Sequence, residues 1–387
     1  MLKKSFIFAK KLIMIKRNLS EIIKKDLHKK KALILLGTRQ VGKTTLLHDL
    51  AKSWDNTLWL TGDELETQRL FENPTITRFK AEFSGIKYLI VDEAQRLPNV
   101  GLGLKLITDH LPDIQLLVTG SSAFELSNRL NESLMGRTFE YQLFPLSFSE
   151  MADFHTLREE KRLLHYRMIY GYYPNVVMQA EDSKKILQNM VQNFLYKDML
   201  LLDDVKKPDK IVKLLQALAF QIGNQVSYNE LSKIVGLNIT TIEKYIIMLE
   251  QAFVLFRLGS FSRNLRNELS KSRKIYFYDN GVRNALIENF NSVEIRTDAG
   301  ALWENFLIAE RMKFLKNNER WYKRYFWRTK EQQEIDYIEE ENGELRAFEF
   351  KWNKYSKAKI TKTFTNAYPN ANTQIITPEN YVDFINF

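Results

Sequence analysis

The chain contains no cysteine. Disulfides and cysteine-ligated zinc are therefore excluded, and the composition suits a reducing, cytoplasmic setting. Histidine is scarce: His28, His48, His110, His155 and His165 are the full set, and none lies in the C-terminal half. A metal site in that half must be built from oxygen donors, which suits Mg2+ or Mn2+. No run approaches the ~18 consecutive apolar residues that a membrane-spanning helix requires. The apolar stretch Phe6–Ile15 is interrupted by Lys10 and Lys11, and no small-residue cleavage site follows it, so it makes a poor signal peptide. A soluble protein with no membrane partner is expected. Internal repeats and low-complexity linkers are missing as well. The formal net charge is +10, but residues 1–31 hold eleven Lys/Arg against two Asp/Glu, which leaves the rest of the chain close to neutral. The body is thus not a uniformly basic surface, and residues 1–31 read as a basic N-terminal helical arm with a solvated face.

Of the 387 residues, 44% are apolar, ample for the packed cores of two to four domains. Residues 32–148 alternate strand-like and helical runs, the pattern of an α/β domain with a parallel sheet. The strand candidates are 32–36, 56–61, 87–92, 114–119 and 139–143. After the first comes Gly37-Thr38-Arg39-Gln40-Val41-Gly42-Lys43-Thr44, then Thr45 and a helical run. Strand, glycine loop and helix together make a phosphate loop. Gly37 and Gly42 let successive N–H groups turn inward toward phosphate oxygens, and the helix N-terminus adds its positive dipole end. Lys43 supplies a charge for the β- and γ-phosphates, and Thr44 a hydroxyl for Mg2+. The expected ligands are ATP and Mg2+, bound across Gly37, Thr38, Arg39, Gln40, Val41, Gly42, Lys43, Thr44 and Thr45.

The third strand ends in Asp92-Glu93. Asp92 is placed to hold Mg2+ with Thr44, and Glu93 to polarise the attacking water. The fourth ends in Gly120-Ser121-Ser122, whose hydroxyls suit the γ-phosphate or the water; a strand-ending turn explains them equally well. Arg137 offers a positive charge to a transition state, or is a surface arginine.

Further along, Tyr228–Val235 and Thr240–Leu249 are short amphipathic helices around a Gly236-Leu237-Asn238 turn, and Val254–Leu258 reads as the strand of a wing. Asn238, Thr240, Thr241 and Lys244 would face a DNA major groove, though no arginine is offered to guanine; packing between domains is the plainer use. Residues 311–330 carry eight basic residues and one acid among aromatic side chains, and residues 331–350 eight acids and one arginine. Such flanks suit a phosphodiester around a metal. Glu334–Ile338 and Leu345–Trp352 alternate like strands, with a hairpin-type Asn342-Gly343 between them. Asp336, Glu349 and Lys351 then form D-x12-E-x-K, with Glu304 on a preceding helix as a fourth member. Two carboxylates and a lysine are the parts of a metal-dependent phosphodiesterase. A solvated hairpin face with paired charges uses the same residues.

Taken together, Gly37–Thr45, Val91-Asp92-Glu93-Ala94-Gln95, Thr119–Ser122, Gly136-Arg137, Phe144–Ser147, Gly171-Tyr172-Tyr173-Pro174, Tyr276–Gly281, Gly300–Phe306 and Glu349-Phe350-Lys351 resemble a family of prokaryotic AAA-type ATPases with a C-terminal domain of unknown function. The resemblance runs from about Met14 to the end. At Gly171-Tyr172 the family usually has two glycines. The resemblance implies a P-loop NTPase (AAA-like) parallel sheet at 32–149, a winged-helix segment at 209–290 and a C-terminal α/β domain at 291–387 similar to the PD-(D/E)xK restriction-endonuclease-like fold; the helical look of residues 150–208 suits a lid between the first two. Three readings follow. One is an ATPase acting as a switch or motor. Another is an ATP-regulated metal-dependent nuclease of a defence type. The third keeps the ATPase but makes the nuclease-like domain an inactive module that binds nucleic acid, DNA before RNA, or a protein partner. A homo-oligomer is compatible with each, since Arg137 acting in trans requires a neighbour.

Overall fold

The computed structural model describes residues 14–121, 134–193, 208–262, 272–353 and 359–386. Ser122, whose hydroxyl was expected beside Ser121, lies outside the described residues.

Five strands form the first sheet: β1 (Ala32–Leu36), β2 (Thr57–Thr61), β3 (Tyr88–Asp92), β4 (Gln115–Gly120) and β5 (Thr138–Gln142), in the order β2-β3-β4-β1-β5. All neighbours run parallel. The expected strands are present within one residue at each end. β1 is buried along its whole length because helices cover both faces, which is why it reads as an unbroken apolar run. In open parallel sheets ligands bind beyond the carboxyl ends of the strands, and those ends carry Gly37, Asp92-Glu93 and Ser121.

The arm is only partly what its charge suggests. From Leu19 to Asp26 it is a helix whose Leu19, Ile22 and Ile23 join the core of Leu33, Leu35, Leu46 and Leu47. Its lysines stay outside, but Arg17 is buried.

A second sheet has seven strands: β6 (Gln225–Val226), β7 (Leu255–Ser260), β8 (Arg273–Phe277), β9 (Lys323–Arg328), β10 (Glu334–Glu341), β11 (Glu344–Phe350) and β12 (Asn372–Ile376), in the order β12-β11-β10-β9-β7-β8-β6. The β7–β9 pairing is parallel, through Gly259↔Tyr325 and Ser260↔Phe326. This sheet crosses the boundary drawn at residues 290/291. Pairing β7 with β9 covers two edges that would otherwise leave their N–H and C=O groups open. The boundary at 208/209 is crossed too: Tyr173, Val176, Leu187 and Met190 share one core with Leu214, Leu218, Leu249 and Phe277.

Helices Tyr228–Val235 and Ile239–Gln251 flank the expected turn, with Gly236 in the left-handed region at φ 72°. Asn238 caps the second helix, its Oδ1 accepting from Thr241 N at 2.7 Å. Its side chain is therefore engaged locally and is not held out toward a groove. The Asn342-Gly343 turn is present, with both φ angles positive, and β10 and β11 pair through Tyr337↔Phe348 and Glu341↔Glu344.

The opposed charge blocks partly neutralise each other. Arg311 is buried and bidentate on Glu339, at 2.7 and 2.8 Å. Lys313, also buried, reaches Glu310 at 2.6 Å and the Leu146 carbonyl at 2.9 Å. These two cations tie the long Ala299–Asn317 helix into the fold and are unavailable to a phosphodiester. Among the described residues no helix is long and apolar enough to cross a membrane.

Candidate nucleotide site and C-terminal carboxylate cluster

Gly37 leaves β1 under the chain at Leu143, where an added Cβ would lie 2.5 Å from the Leu143 carbonyl oxygen. Only glycine fits that approach. Gly42 has φ 99°, a left-handed conformation, and immediately precedes the Lys43–Ala51 helix. The nine loop residues thus form one turn opening on a helix N-terminus. Thr44 and Thr45 stand exposed at that N-terminus, and Gln40 is exposed at φ 61°. Val41 instead anchors the loop, with its side chain in the core. Lys43 curls back, Nζ donating to the carbonyls of Gly37 at 2.8 Å and Thr38 at 3.1 Å.

At the next strand ends, the Thr44 hydroxyl donates to Asp92 Oδ2 at 2.8 Å, and the Thr119 hydroxyl donates to Asp92 Oδ1. Glu93 N donates to Thr119 Oγ1 at 3.0 Å and to Asp92 Oδ1 at 3.2 Å. Glu93 sits at φ 50°, a left-handed conformation that costs a non-glycine residue about 1–3 kcal/mol and is found most at functional sites. Gly62 permits it, since a Cβ there would lie 2.3 Å from the Glu93 carbonyl oxygen. Gln95 Nε2 bridges Glu93 Oε2 at 2.6 Å and Ser121 Oγ at 3.0 Å. Thr44, Asp92, Glu93 and Ser121 are therefore gathered into one hydrogen-bonded group.

Arg137 is not part of it. It precedes β5, and its carbonyl accepts from Ala32 N at the start of β1. That edge of the sheet lies about 16 Å from the loop, the length of five extended residues. Its Nε donates to Asp109 Oδ1 at 2.6 Å.

Four functional candidates were missed in the sequence. Thr119 and Gln95 order the carboxylates, and both lie inside segments that carry the resemblance, where neither was given a role. Tyr173, in the Gly171–Pro174 turn, hydrogen-bonds Thr38 Oγ1 at 2.9 Å in the interior. Burial pushes the Tyr173 hydroxyl above the usual tyrosine range, so it stays neutral. Arg17 lies beneath the loop: Nη1 donates to Val41 O at 2.9 Å, Nη2 to Phe144 O at 2.6 Å, and Nε to Glu150 Oε1 at 3.1 Å. Glu150 is held in place by a capping box with Ser147. No local pattern distinguishes Arg17 from the solvated cations around it.

Behind Thr38, Arg39 and Gln40 opens a cavity of about 210 Å3, closed by Tyr173, Met190, Phe253 and Tyr278. Its walls thus come from the loop and from segments well beyond β5.

Residues 29–152 match the family model of an AAA domain. Two further models match the remainder, Domain of unknown function (DUF8612) at residues 161–293 and Domain of unknown function (DUF4143) at residues 299–384. The first spans the 208/209 boundary, as the shared core does. An uncharacterized protein of Mycobacterium tuberculosis is 27% identical over 341 residues, covering 87% of this chain and 74% of its own length. An uncharacterized protein of Methanocaldococcus jannaschii is 24% identical over 392 residues, covering 92% and 85%. A Walker-type ATPase of Pyrococcus abyssi superposes with a TM-score of 0.51 at 15% identity, covering 72% of this chain and 97% of that one, a likeness of fold. The AAA domain holds the loop, Asp92, Glu93 and Ser121.

The C-terminal residues are also brought together. Lys351 Nζ donates to Glu349 Oε1 at 2.7 Å, and Asp336 Oδ2 accepts from Phe350 N at 2.8 Å. Burial, with the Glu304 and Glu349 carboxylates nearby, holds the Asp336 carboxyl well above its usual range. Burial likewise raises Glu349, against the pull of Lys351. Glu304, on the Ala299–Asn317 helix, accepts from Lys274 Nζ at 2.9 Å and from the Tyr276 hydroxyl at 2.5 Å. Lys274 was not anticipated from the sequence.

Proposed function

We propose that the AAA domain binds ATP with Mg2+ at residues 37–45 and hydrolyses it, and that the nucleotide state is read by the segments beyond residue 152 as a switch. The observation that carries this reading is the group Thr44–Asp92–Thr119–Glu93. It presents one hydroxyl and one carboxylate at a helix N-terminus, the oxygen donor set that Mg2+ accepts beside phosphates and water. Thr44 and Asp92 would hold the metal, which when bound polarises the phosphoryl group. Lys43 exchanges the loop carbonyls for phosphate oxygens, a favourable trade of neutral acceptors for charged ones. Glu93 accepts the proton of the attacking water, with Gln95 fixing the carboxylate in place. The cavity behind Thr38 takes the base, an apolar pocket with aromatic walls.

The switch reading is supported by Tyr173. It lies outside the AAA domain and touches Thr38 in the loop, so a loop that moves for ATP also moves the core that continues into β8. The C-terminal unit responds by binding nucleic acid or a protein partner without cutting.

The test is ATP turnover of the full chain, with and without DNA and RNA, beside a cleavage gel. Lys43→Ala is expected to abolish ATP binding. Glu93→Gln is expected to bind Mg-ATP and to slow hydrolysis about 10²–10⁴-fold, the usual worth of a positioned general base. Unchanged turnover in Glu93→Gln defeats the role given to Glu93, and no binding of Mg-ATP by folded wild-type protein defeats the whole reading.

A further inference from the structure

The carboxylates of the C-terminal cluster face a cation that belongs to a different segment. Lys274 lies on β8, paired with Gln225 on one side and Leu258 on the other. Its residue is 1% exposed, and its ammonium meets Glu304 at 2.9 Å and also Glu334. The Tyr276 hydroxyl donates to the same Glu304 oxygen. Arg328 approaches the other Glu334 oxygen at 3.5 Å, and Lys351 holds Glu349. Every carboxylate of the cluster therefore already answers to a donor: Glu304 and Glu334 to Lys274, Glu349 to Lys351, Asp336 to the Phe350 amide. Two cluster oxygens, Glu334 Oε1 and Glu349 Oε2, are buried without a hydrogen bond, but Glu334 Oε1 lies in ion-pair contact with Lys274. Among the described residues no three His, Asp or Glu side chains are set to hold a metal.

We infer that the Lys274 ammonium is the resident cation of this cluster, held between Glu304 and Glu334, where a divalent metal drawing on Glu304 would have to displace it. A dication and an ammonium repel, and they would compete for Glu304. Lys274 cannot swing away, because its strand is in the middle of β6, β7 and β8 and its side chain is enclosed. Glu304 and Glu334 meet the enclosed ammonium directly, so the buried charge is paired. Lys274 thus joins β8 to β10 through Glu334 and to the Ala299–Asn317 helix through Glu304, beside the D-x12-E-x-K residues, and the unit cleaves no phosphodiester in this arrangement.

The test uses the full chain and manganese as the probe. In wild-type crystals soaked with MnCl2, the anomalous map is expected to have no peak among Glu304, Asp336 and Glu349. A peak there, absent in Asp336→Asn, overturns the inference, as does Mn2+-dependent DNA or RNA cleavage that Glu349→Gln removes. In solution Lys274→Met is expected to melt about 5–10 °C below wild type, since it leaves buried carboxylates without their counter-ion, and to recover with Mn2+. A Lys274→Met chain as stable as wild type overturns the inference. Where that variant does not fold, Lys274→Met/Glu304→Gln, which removes one charge of each sign, is expected to restore folding, and the wild-type crystal decides independently.

Discussion

Replacing Arg17 by Met tests how the loop is held. The substitution keeps most of the apolar stem and removes the guanidinium, with its bonds to Glu150, Val41 O and Phe144 O. Arg17 and Glu150 side chains are 9% and 1% exposed, so water does not replace what is lost. Breaking one partner of a buried pair costs about 3–5 kcal/mol. Glu150 keeps two backbone donors, Asn18 N and Ser147 N, both at 2.9 Å, which favours the lower end of that range, about 3 kcal/mol. At 1.4 kcal/mol per factor of ten, local opening becomes about a hundredfold more populated. Hydrogen exchange read by mass spectrometry should show this in peptides covering residues 32–51 and 144–154, with β10 and β11 unaffected. Mg-ATP affinity should fall in parallel, because Val41 O is no longer pinned. Arg17→Met/Glu150→Gln should regain part of the loss, since the orphaned carboxylate is then neutral. Exchange within about threefold of wild type, less than about 0.7 kcal/mol, would refute the claim that Arg17 supports the loop.

Gly37→Ala places a methyl 2.5 Å from the Leu143 carbonyl oxygen; Mg-ATP binding by calorimetry should vanish while the C-terminal unit melts as before. Arg137→Ala should leave turnover per chain unchanged in dilute monomer, because Arg137 sits at the far edge of the sheet; a large loss there would place it at the site after all. Asp336→Asn should raise stability at neutral pH. The Asp336 carboxyl titrates above its unfolded value, so its contribution is fully present below pH ~4 and is lost as pH rises through the folded value. The advantage of the variant in urea midpoints should therefore be small near pH 4 and grow toward neutrality.

Periodicity and loop chemistry placed the five strands of the first sheet to within a residue, and with them the glycine turn before the Lys43–Ala51 helix and the strand end at Asp92-Glu93. Those signals are local: a buried parallel strand is an apolar run, and a phosphate loop needs glycine where φ is positive or a neighbour is close. The hairpin of β10 and β11 was legible for the same reason, through alternation and Asn342-Gly343. Arg17, Tyr173 and Lys274 were not legible. Each acts on a partner far along the chain: Arg17 on Glu150, Tyr173 on Thr38, Lys274 on Glu304 and Glu334. Arg137 stands away from the loop of its own chain, as the surface-arginine reading allows, since a residue type next to a strand says nothing about which end of the sheet it occupies.

By itself, then, the order of residues determined the elements and the glycine turn between β1 and its following helix, because helices, strands and tight turns answer to neighbours a few positions away. Tertiary structure alone decided that β7 and β9 merge two presumed domains into one sheet. It also decided that a lysine from one segment neutralises carboxylates from another. Burial removes water, and a charge without water must find a counter-charge wherever the fold brings one.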